Sequence, residues 1–222
     1  MSDRAVIFDL DGTLVDTAPD LMTATNRVLA DLGRRPIAMD EVRQFVGHGA
    51  RALIKRGMAA TGGLPSEFDL ERHYRSFVSY YEAEICVGSR LFPGLVPFLD
   101  RLRAEGFGLG VCTNKLEGLS IRLLEEIGIR HYFGSVVGPD TVGVAKPDPR
   151  PFHEAVARLG LASPRALMVG DSETDVLTAR AAGVPILAVP FGYTARPVAE
   201  FSPDAIVGHY DDMWTAIERL LA

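Results

Sequence analysis

Hydrophobic positions near the N-terminus form a continuous run instead of a helical or alternating pattern. Residues 5–8 read Ala-Val-Ile-Phe and are followed at once by Asp9 and, three residues later, by a glycine. A short apolar run that ends at a turn signal is typical of a strand buried on both faces. We therefore predict a first strand that continues to about Asp9.

Helical spacing replaces this pattern over residues 16–86. Pro19 suits a first helical turn, apolar residues then recur on one face, and Gly33 ends the segment. Further helices are expected over 41–46, over 50–60 and after Ser66, with Asp40 and Ser66 as N-caps. We predict no strand within residues 16–86.

Beyond Pro93, strand-like and helical segments alternate. The predicted strands lie at 108–112, 135–137, 166–169, 185–189 and 205–207, with helices over 95–105, up to 127, 149–159, 174–182 and 211–221. Such alternation indicates βαβ units and a parallel sheet. The predicted fold class is therefore α/β, a Rossmann-like parallel sheet core with a helical cap domain inserted after the first strand. Residues 1–15 and 88–222 would form the core and residues 16–87 the cap, with hinges near Asp16 and Gly88.

Composition narrows the classes of protein that fit. The 222 residues carry a formal net charge of −6 with scattered basic residues, which argues against a nucleic-acid partner. Two cysteines, Cys86 and Cys112, are too few for a disulfide framework and fit a reducing compartment. The N-terminus enters a strand at once and no apolar stretch is long enough for a bilayer. We expect a cytoplasmic monomer or homodimer without a membrane partner.

Polar side chains follow four of the predicted elements at one edge of the sheet. They are Asp9 and Asp11, then Thr113 and Asn114, then Lys146, and finally Asp171, Ser172 and Asp175. Ligands of open α/β sheets bind at the carboxyl ends of the strands. Each group alone has an ordinary explanation as a turn, a helix cap or a solvated side chain. Together they indicate a cation site beside an acid/base pair, because buried carboxylates are costly unless their charge is paired.

The order of these groups, opening with Asp-Leu-Asp-Gly-Thr at 9–13, resembles the four motifs of the haloacid dehalogenase-like superfamily. The resemblance implies that Asp9 attacks phosphorus to form an aspartyl-phosphate and that Asp11 is the general acid and base. Mg²⁺ would be held by Asp9, Asp171 and the main-chain carbonyl of Asp11, while Asp175 would lie behind these ligands and orient a metal-bound water. Thr113 and the backbone N–H of Asn114 would bind the phosphate, and Lys146 would neutralise charge on the phosphate and on Asp9.

Asp11 favours the phosphatases of this superfamily, since the dehalogenases lack the second carboxylate and need no metal. Other phosphate chemistries fit poorly. Neither cysteine is followed six residues later by Arg, no Arg-His-Gly occurs, and no G-x-x-x-x-G-K is present.

A glycine-rich turn in the predicted cap gives information about the identity of the substrate. Gly47-His48-Gly49 is followed by Arg51 at a helix start, which suits a small anion such as a carboxylate, although His48 and Arg51 could equally be solvated. With Thr113-Asn114-Lys115 and Lys146-Pro147-Asp148-Pro149, this segment resembles the phosphoglycolate phosphatases, with Leu116 where many relatives have Pro.

The expected function is Mg²⁺-dependent hydrolysis of a small phosphorylated metabolite, 2-phosphoglycolate, to glycolate and phosphate. Three alternatives stay open. One is a phosphatase of a sugar phosphate, pyrophosphate or nucleoside monophosphate. The second is a phosphomutase of the same fold. The third is a phospho-ligand binding protein, for which a missing motif residue would be the signal.

Overall fold

The central feature of the structure, a computed structural model that describes residues 3–65, 68–161 and 165–222, is a six-stranded parallel sheet. The strands along the chain are β1 (Arg4–Phe8), β2 (Val15–Asp16), β3 (Arg90–Leu91), β4 (Gly108–Cys112), β5 (Ser135–Val137), β6 (Arg165–Gly170), β7 (Ile186–Ala188) and β8 (Ala205–Ile206). The sheet order is β5-β4-β1-β6-β7-β8, and every neighbouring pair is parallel. The predicted α/β class is confirmed.

Ten helices surround or extend this sheet in the described part of the chain. They are α1 (Ala18–Asp31), α2 (Met39–Phe45), α3 (Ala50–Ala60), α4 (Leu70–Ala83), α5 (Leu95–Ala104), α6 (Glu117–Glu126), α7 (Pro139–Val142), α8 (Arg150–Ala157), α9 (Glu173–Ala182) and α10 (Met213–Leu220). The four-residue α7 was not predicted, nor were the 3₁₀ turns at Arg130–Tyr132, Val198–Phe201 and Tyr210–Asp212. Such single turns are too short to show a hydrophobic period.

The starts of two helices differ from the prediction. Asp40 is wrong as a cap because it lies inside α2, whose N-cap is Ala38; the Glu41 carboxylate accepts the Ala38 N–H at 2.8 Å instead. A glutamate at the third helical position commonly accepts the N–H of the N-cap residue in this way. Ser66 lies outside the described residues, and α4 begins at Leu70 after Asp69, which accepts the Arg72 N–H at 3.0 Å.

The prediction of no strand within 16–86 is wrong at one residue. Asp16 belongs to β2, which pairs antiparallel with β3 through Val15 with Leu91 and Asp16 with Arg90. Two-residue strands carry no alternation that a sequence could reveal. The chain therefore leaves the sheet toward α1–α4 and returns from them along one short ribbon.

A buried carboxylate also connects the two segments in which the chain leaves the sheet and returns to it. Asp20, in the first turn of α1, accepts hydrogen bonds from Gly88 N–H at 2.7 Å, Ser89 N–H at 2.8 Å and Ser89 Oγ at 2.6 Å. Asp20 is 6% exposed, and no cation of the described residues forms an ion pair with it. The carboxylate is thus held entirely by neutral donors from the returning chain.

The hydrophobic core lies on both faces of the sheet. Val6 and Phe8 of β1 pack with one cluster that extends into α1–α4, whereas Ala5 and Ile7 face a second cluster that includes Phe152 of α8. All four are fully buried, as a central parallel strand requires. None of the helices in the described part of the chain combines the length and the apolar composition that a bilayer span requires.

Candidate active site

The sheet's central pair of strands brings two carboxylates together. Asp9 follows β1 and Asp171 follows β6, and these strands pair with Phe8 beside Val169. After Asp9 the chain turns at Gly12, whose φ of +87° is disfavoured for other residues. Because Gly12 has no side chain, there is room beside it for the Asp171 carboxylate. Both carboxylates therefore meet at the carboxyl edge of the sheet, as the sequence predicted.

Two neutral donors hold Asp171 in place. Its Oδ1 accepts the Thr13 hydroxyl at 2.9 Å and its Oδ2 accepts the Tyr193 N–H at 2.5 Å. Burial, with Asp175 and Asp9 nearby, raises the pKa of Asp171 well above its ordinary value. The side chain is 1% exposed and has no cationic partner among the described residues.

Asp175 and Lys146 form the support on the buried side. Asp175 Oδ1 accepts from Lys146 Nζ at 2.6 Å, and Oδ2 accepts the Ser172 hydroxyl at 2.7 Å and the N–H groups of Asp171 and Ser172 at 3.2 and 3.1 Å. Both oxygens of Asp175 are thus occupied by protein donors. Burial disfavours the Lys146 ammonium, but Asp175 and Asp9 outweigh it and raise the Lys146 pKa.

Asp9 stands out because its carboxylate has an unsatisfied oxygen. Oδ1 lies 2.9 Å from Lys146 Nζ, yet it is fully buried and accepts no hydrogen bond of good geometry from the described residues. Burial raises the pKa of Asp9 to about 7, against the opposing effect of Lys146. Lys146 is close to this oxygen but gives it no well-oriented hydrogen bond, so the oxygen can accept a further cation or ligand.

Three carboxylates could surround such a cation. Oxygens of Asp9, Asp171 and Asp175 all lie within 4.8 Å of one another. Carboxylate oxygens are the donors that Mg²⁺ prefers, and it needs only one or two of them because it keeps several waters. Asp171 accepts only two neutral donors, whereas Asp175 accepts four donors, one of them the Lys146 ammonium. Asp9 and Asp171 are therefore the better placed to bind a metal. The donor set fits Mg²⁺ bound by Asp9 and Asp171, with Asp175 behind them.

Hydrogen-bond donors face the same place from the next strand. Thr113 and Asn114 follow β4, which pairs with β1 on the side away from β6. The Thr113 hydroxyl accepts the Lys115 N–H at 3.2 Å, while its own proton and the Asn114 N–H find no acceptor in the described ranges. The Asn114 side chain bonds both main-chain groups of Lys146 and the Gly47 carbonyl, which fixes the Lys146 loop against α2–α3.

Asp11 has partners that the sequence did not reveal. Its Oδ1 accepts from Lys115 Nζ at 2.5 Å and from the Thr17 hydroxyl at 2.7 Å. Lys115 also donates to the Tyr81 hydroxyl of α4 at 2.9 Å. Burial opposes the charge on Lys115, but Asp11 and Tyr81 raise the Lys115 pKa. In the sequence, the only feature that marked Lys115 was its position directly after Asn114, at the end of a strand.

A cavity of about 270 Å³ opens between the sheet edge and α1–α4. Its lining includes Asp9, Asp11, Thr113 and Asn114 from the sheet and His48 and Arg51 from the other side. The predicted sheet-edge and cap residues therefore border one cavity, apart from Lys146, Asp171 and Asp175, which lie behind it.

The two predicted cap residues already have protein partners. His48 Nδ1 lies 3.1 Å from the Thr174 hydroxyl of α9, and burial together with Arg56 lowers the His48 pKa. Arg51 forms two bonds of 2.8 Å to Glu71, and its guanidinium lies 3.7 Å from the centre of the Tyr74 ring. The charge of Arg51 is thus matched within the protein.

Tyr193 is a further residue that sequence reasoning missed. Its N–H holds Asp171, and its hydroxyl donates to the Asp16 carboxylate and accepts the Ala18 N–H at 2.9 Å. One residue therefore connects the carboxylate site to the start of α1. Nothing in the local sequence marks Tyr193 for this position, because the contact depends on where a loop after β7 folds.

Comparisons with known proteins agree with this geometry. A family model described as haloacid dehalogenase-like hydrolase matches residues 6–189. The phosphoglycolate phosphatase of Mesorhizobium japonicum is 43% identical over 224 residues, covering 100% of this chain and 98% of the relative. That of Caulobacter vibrioides is 43% identical, covering 100% and 93%. A crystal structure described as a predicted phosphoglycolate phosphatase from Haemophilus somnus has a TM-score of 0.89 and 32% identity, covering 97% and 99%.

Proposed function

We propose that this chain, which belongs to the haloacid dehalogenase-like hydrolase family, hydrolyses 2-phosphoglycolate to glycolate and phosphate with Mg²⁺ as cofactor. One observation supports this proposal most strongly. Asp9, Asp171 and Lys146 lie together at one edge of the sheet, beside a cavity. The hydrogen-bond donors of Thr113 and Asn114 face the same place. The full-length identity of 43% to phosphoglycolate phosphatases supports the choice of substrate.

Asp9 is the proposed nucleophile. A carboxylate oxygen of Asp9 forms a bond to phosphorus while the bond from phosphorus to the glycolate oxygen breaks, leaving an aspartyl-phosphate. Asp11 gives its proton to the departing oxygen, then takes a proton from the water that attacks phosphorus in the second step. The bond from phosphorus to Asp9 breaks, and phosphate leaves. Asp9 and Asp11 are separated by a single residue, Leu10, on the turn after β1, so both carboxylates can reach the same phosphate ester.

Hydrogen-bond donors and a cation would stabilise the negative charge of the transferred phosphoryl group from two sides. Thr113 and the Asn114 N–H have donors to spare for phosphate oxygens, and Lys146 lies 2.9 Å from the proposed nucleophile. Fixed donors and cations stabilise the charge that develops on the phosphoryl oxygens without having to reorganise.

Mg²⁺ would be held by Asp9, Asp171 and the main-chain carbonyl of Asp11. It would supply positive charge that screens the phosphate from the attacking carboxylate. The Oδ1 of Asp9, which accepts no well-oriented hydrogen bond, supports this assignment, and the four protein donors on Asp175 support a role behind the metal.

The cap assignment belongs to the same proposal. Residues 16–87 would form the cap domain over a small phosphorylated substrate, with the core made of residues 1–15 and 88–222. The ribbon of β2 and β3 supports hinges near Asp16 and Gly88, since both crossings lie there. A cytoplasmic location is supported by the two unpaired cysteines, Cys86 and Cys112.

Phosphate release from a panel of phosphomonoesters, with Mg²⁺ and with chelator, tests the proposal. We expect metal-dependent release with 2-phosphoglycolate as the best substrate. Turnover of 2-phosphoglycolate no faster than that of generic esters would refute the substrate and keep the phosphatase. A phosphorylated sugar as the main product, with little free phosphate, would favour a phosphomutase. No reaction with any ester would favour a phospho-ligand binding protein.

A further inference from the structure

Lys115 is a buried cation that borders the proposed leaving-group position and has no part in the chemistry above. Its side chain is 6% exposed and lines the cavity together with Asp11 and Tyr81. An ammonium group carries three protons. Two of them go to Asp11 Oδ1 and the Tyr81 hydroxyl, and the third finds no acceptor in the described part of the chain.

Tyr81 offers a second donor at the same place. Its hydroxyl oxygen accepts from Lys115, while its own proton has no acceptor among the residues that the structure describes. Tyr81 is 1% exposed and comes from α4, whereas Lys115 comes from the loop after β4, at the sheet side of the cavity. One charged and one neutral donor, both buried, thus converge from the two sides of the cavity.

The chemistry of 2-phosphoglycolate places its carboxylate near these donors. Only two carbon atoms separate the ester oxygen from the carboxylate oxygens, so both ends of glycolate occupy neighbouring positions. The ester oxygen must lie beside Asp11 to receive its proton, and Lys115 Nζ is 2.5 Å from Asp11 Oδ1. Arg51, the other expected carboxylate partner, is already bound twice by Glu71.

We infer that Lys115 and Tyr81 form the subsite that binds the carboxylate of the substrate and so select 2-phosphoglycolate over phosphomonoesters that have no carboxylate. This inference rests on the proposed function, because it says where the carboxylate end of that substrate, which does not react, is bound. It makes both residues specificity determinants and gives Arg51 a structural role through Glu71 and Tyr74.

The test compares 2-phosphoglycolate with ethyl phosphate, which has the same two-carbon chain but no carboxylate. Lys115→Met should lower the ratio of the two kcat/KM values about 10- to 100-fold, and Tyr81→Phe about 10-fold, as expected for hydrogen bonds to a charged group. The loss should fall mainly on KM for 2-phosphoglycolate, since the carboxylate takes no part in bond breaking. Lys55→Met and Tyr80→Phe are the matched controls and should leave the ratio unchanged.

Equal losses on both esters would overturn the inference, because they would mean that Lys115 acts only by positioning Asp11. A selective loss in Arg51→Met without one in Lys115→Met would overturn it in favour of Arg51.

A binding measurement separates this inference from the proposed function. Calorimetry with the Asp9→Asn protein and Mg²⁺ needs no turnover, and Asp9→Asn/Lys115→Met should bind 2-phosphoglycolate at least about 10-fold more weakly with little change for ethyl phosphate. Unselective hydrolysis by the wild-type enzyme would refute the proposed function even if this binding difference is found. Equal binding by the two proteins would refute the subsite even if 2-phosphoglycolate is the best substrate.

Discussion

Asp20 gives the sharpest stability prediction, because its buried carboxylate is held only by neutral donors of the returning chain. Asp20→Ala removes the acceptor of three hydrogen bonds of 2.6 to 2.8 Å. Ser89 is 1% exposed, so its N–H and hydroxyl would both be left without partners, whereas water can reach the half-buried Gly88. Each buried donor left unsatisfied costs about 1–3 kcal/mol. We expect a loss of about 3–5 kcal/mol in the free energy of unfolding.

Urea denaturation measures this loss. Ser89→Ala removes one of the three bonds and should cost about 1–2 kcal/mol. Its effect should largely vanish in the Asp20→Ala background, because the hydroxyl then has no partner to lose. Asp31→Ala is the matched control, since Asp31 also lies in α1 and accepts one hydrogen bond, from Tyr80, but is exposed. It should cost at most about 0.5 kcal/mol. Equal losses in Asp20→Ala and Asp31→Ala would refute the reasoning.

Three further predictions concern the site. Asp9→Asn should abolish phosphate release while circular dichroism stays that of the wild type; activity near the wild-type level would remove Asp9 as nucleophile. Lys146→Ala should lower kcat about 100-fold or more because its charge is needed most in the transition state, so an effect confined to KM in steady-state assays would contradict that role. Asp171→Asn should raise the Mg²⁺ concentration that gives half-maximal activity, and an unchanged Mg²⁺ titration would exclude it as a ligand.

The sequence predicted the parallel sheet and the approach of Asp9, Asp171 and Lys146 because strand ends of such a sheet share one edge. The α3 bounds were also predicted to the residue. The contact of Lys115 with Asp11 was not predicted, because the strand-end pattern does not say which way a side chain in the loop after β4 points. Placing Lys115 against Tyr81 requires the packing of α4 over the sheet, which local propensity does not encode.

The same limit applies to Asp20 and Tyr193. Asp20 looks like an ordinary acidic residue in a first helical turn, where negative charge is favoured near the helix N-terminus. Its true partners, Gly88 and Ser89, come from a segment 68 and 69 residues later. Tyr193 is equally ordinary until the loop after β7 brings its N–H to Asp171.

The ribbon of β2 and β3 brings the two ends of the helical segment α1–α4 to one pair of neighbouring residues. Asp16 and Arg90 are paired neighbours, so a tight two-residue hairpin turn would span the gap left by deleting residues 17–89. The order and register of the parallel sheet would not change, because none of its six strands lies within the deleted segment. The corresponding segment of a relative would be joined to the sheet at the same pair of residues. Such an exchange would replace Tyr81, His48 and Arg51, while Lys115 and the chemical groups at the sheet edge stay where they are.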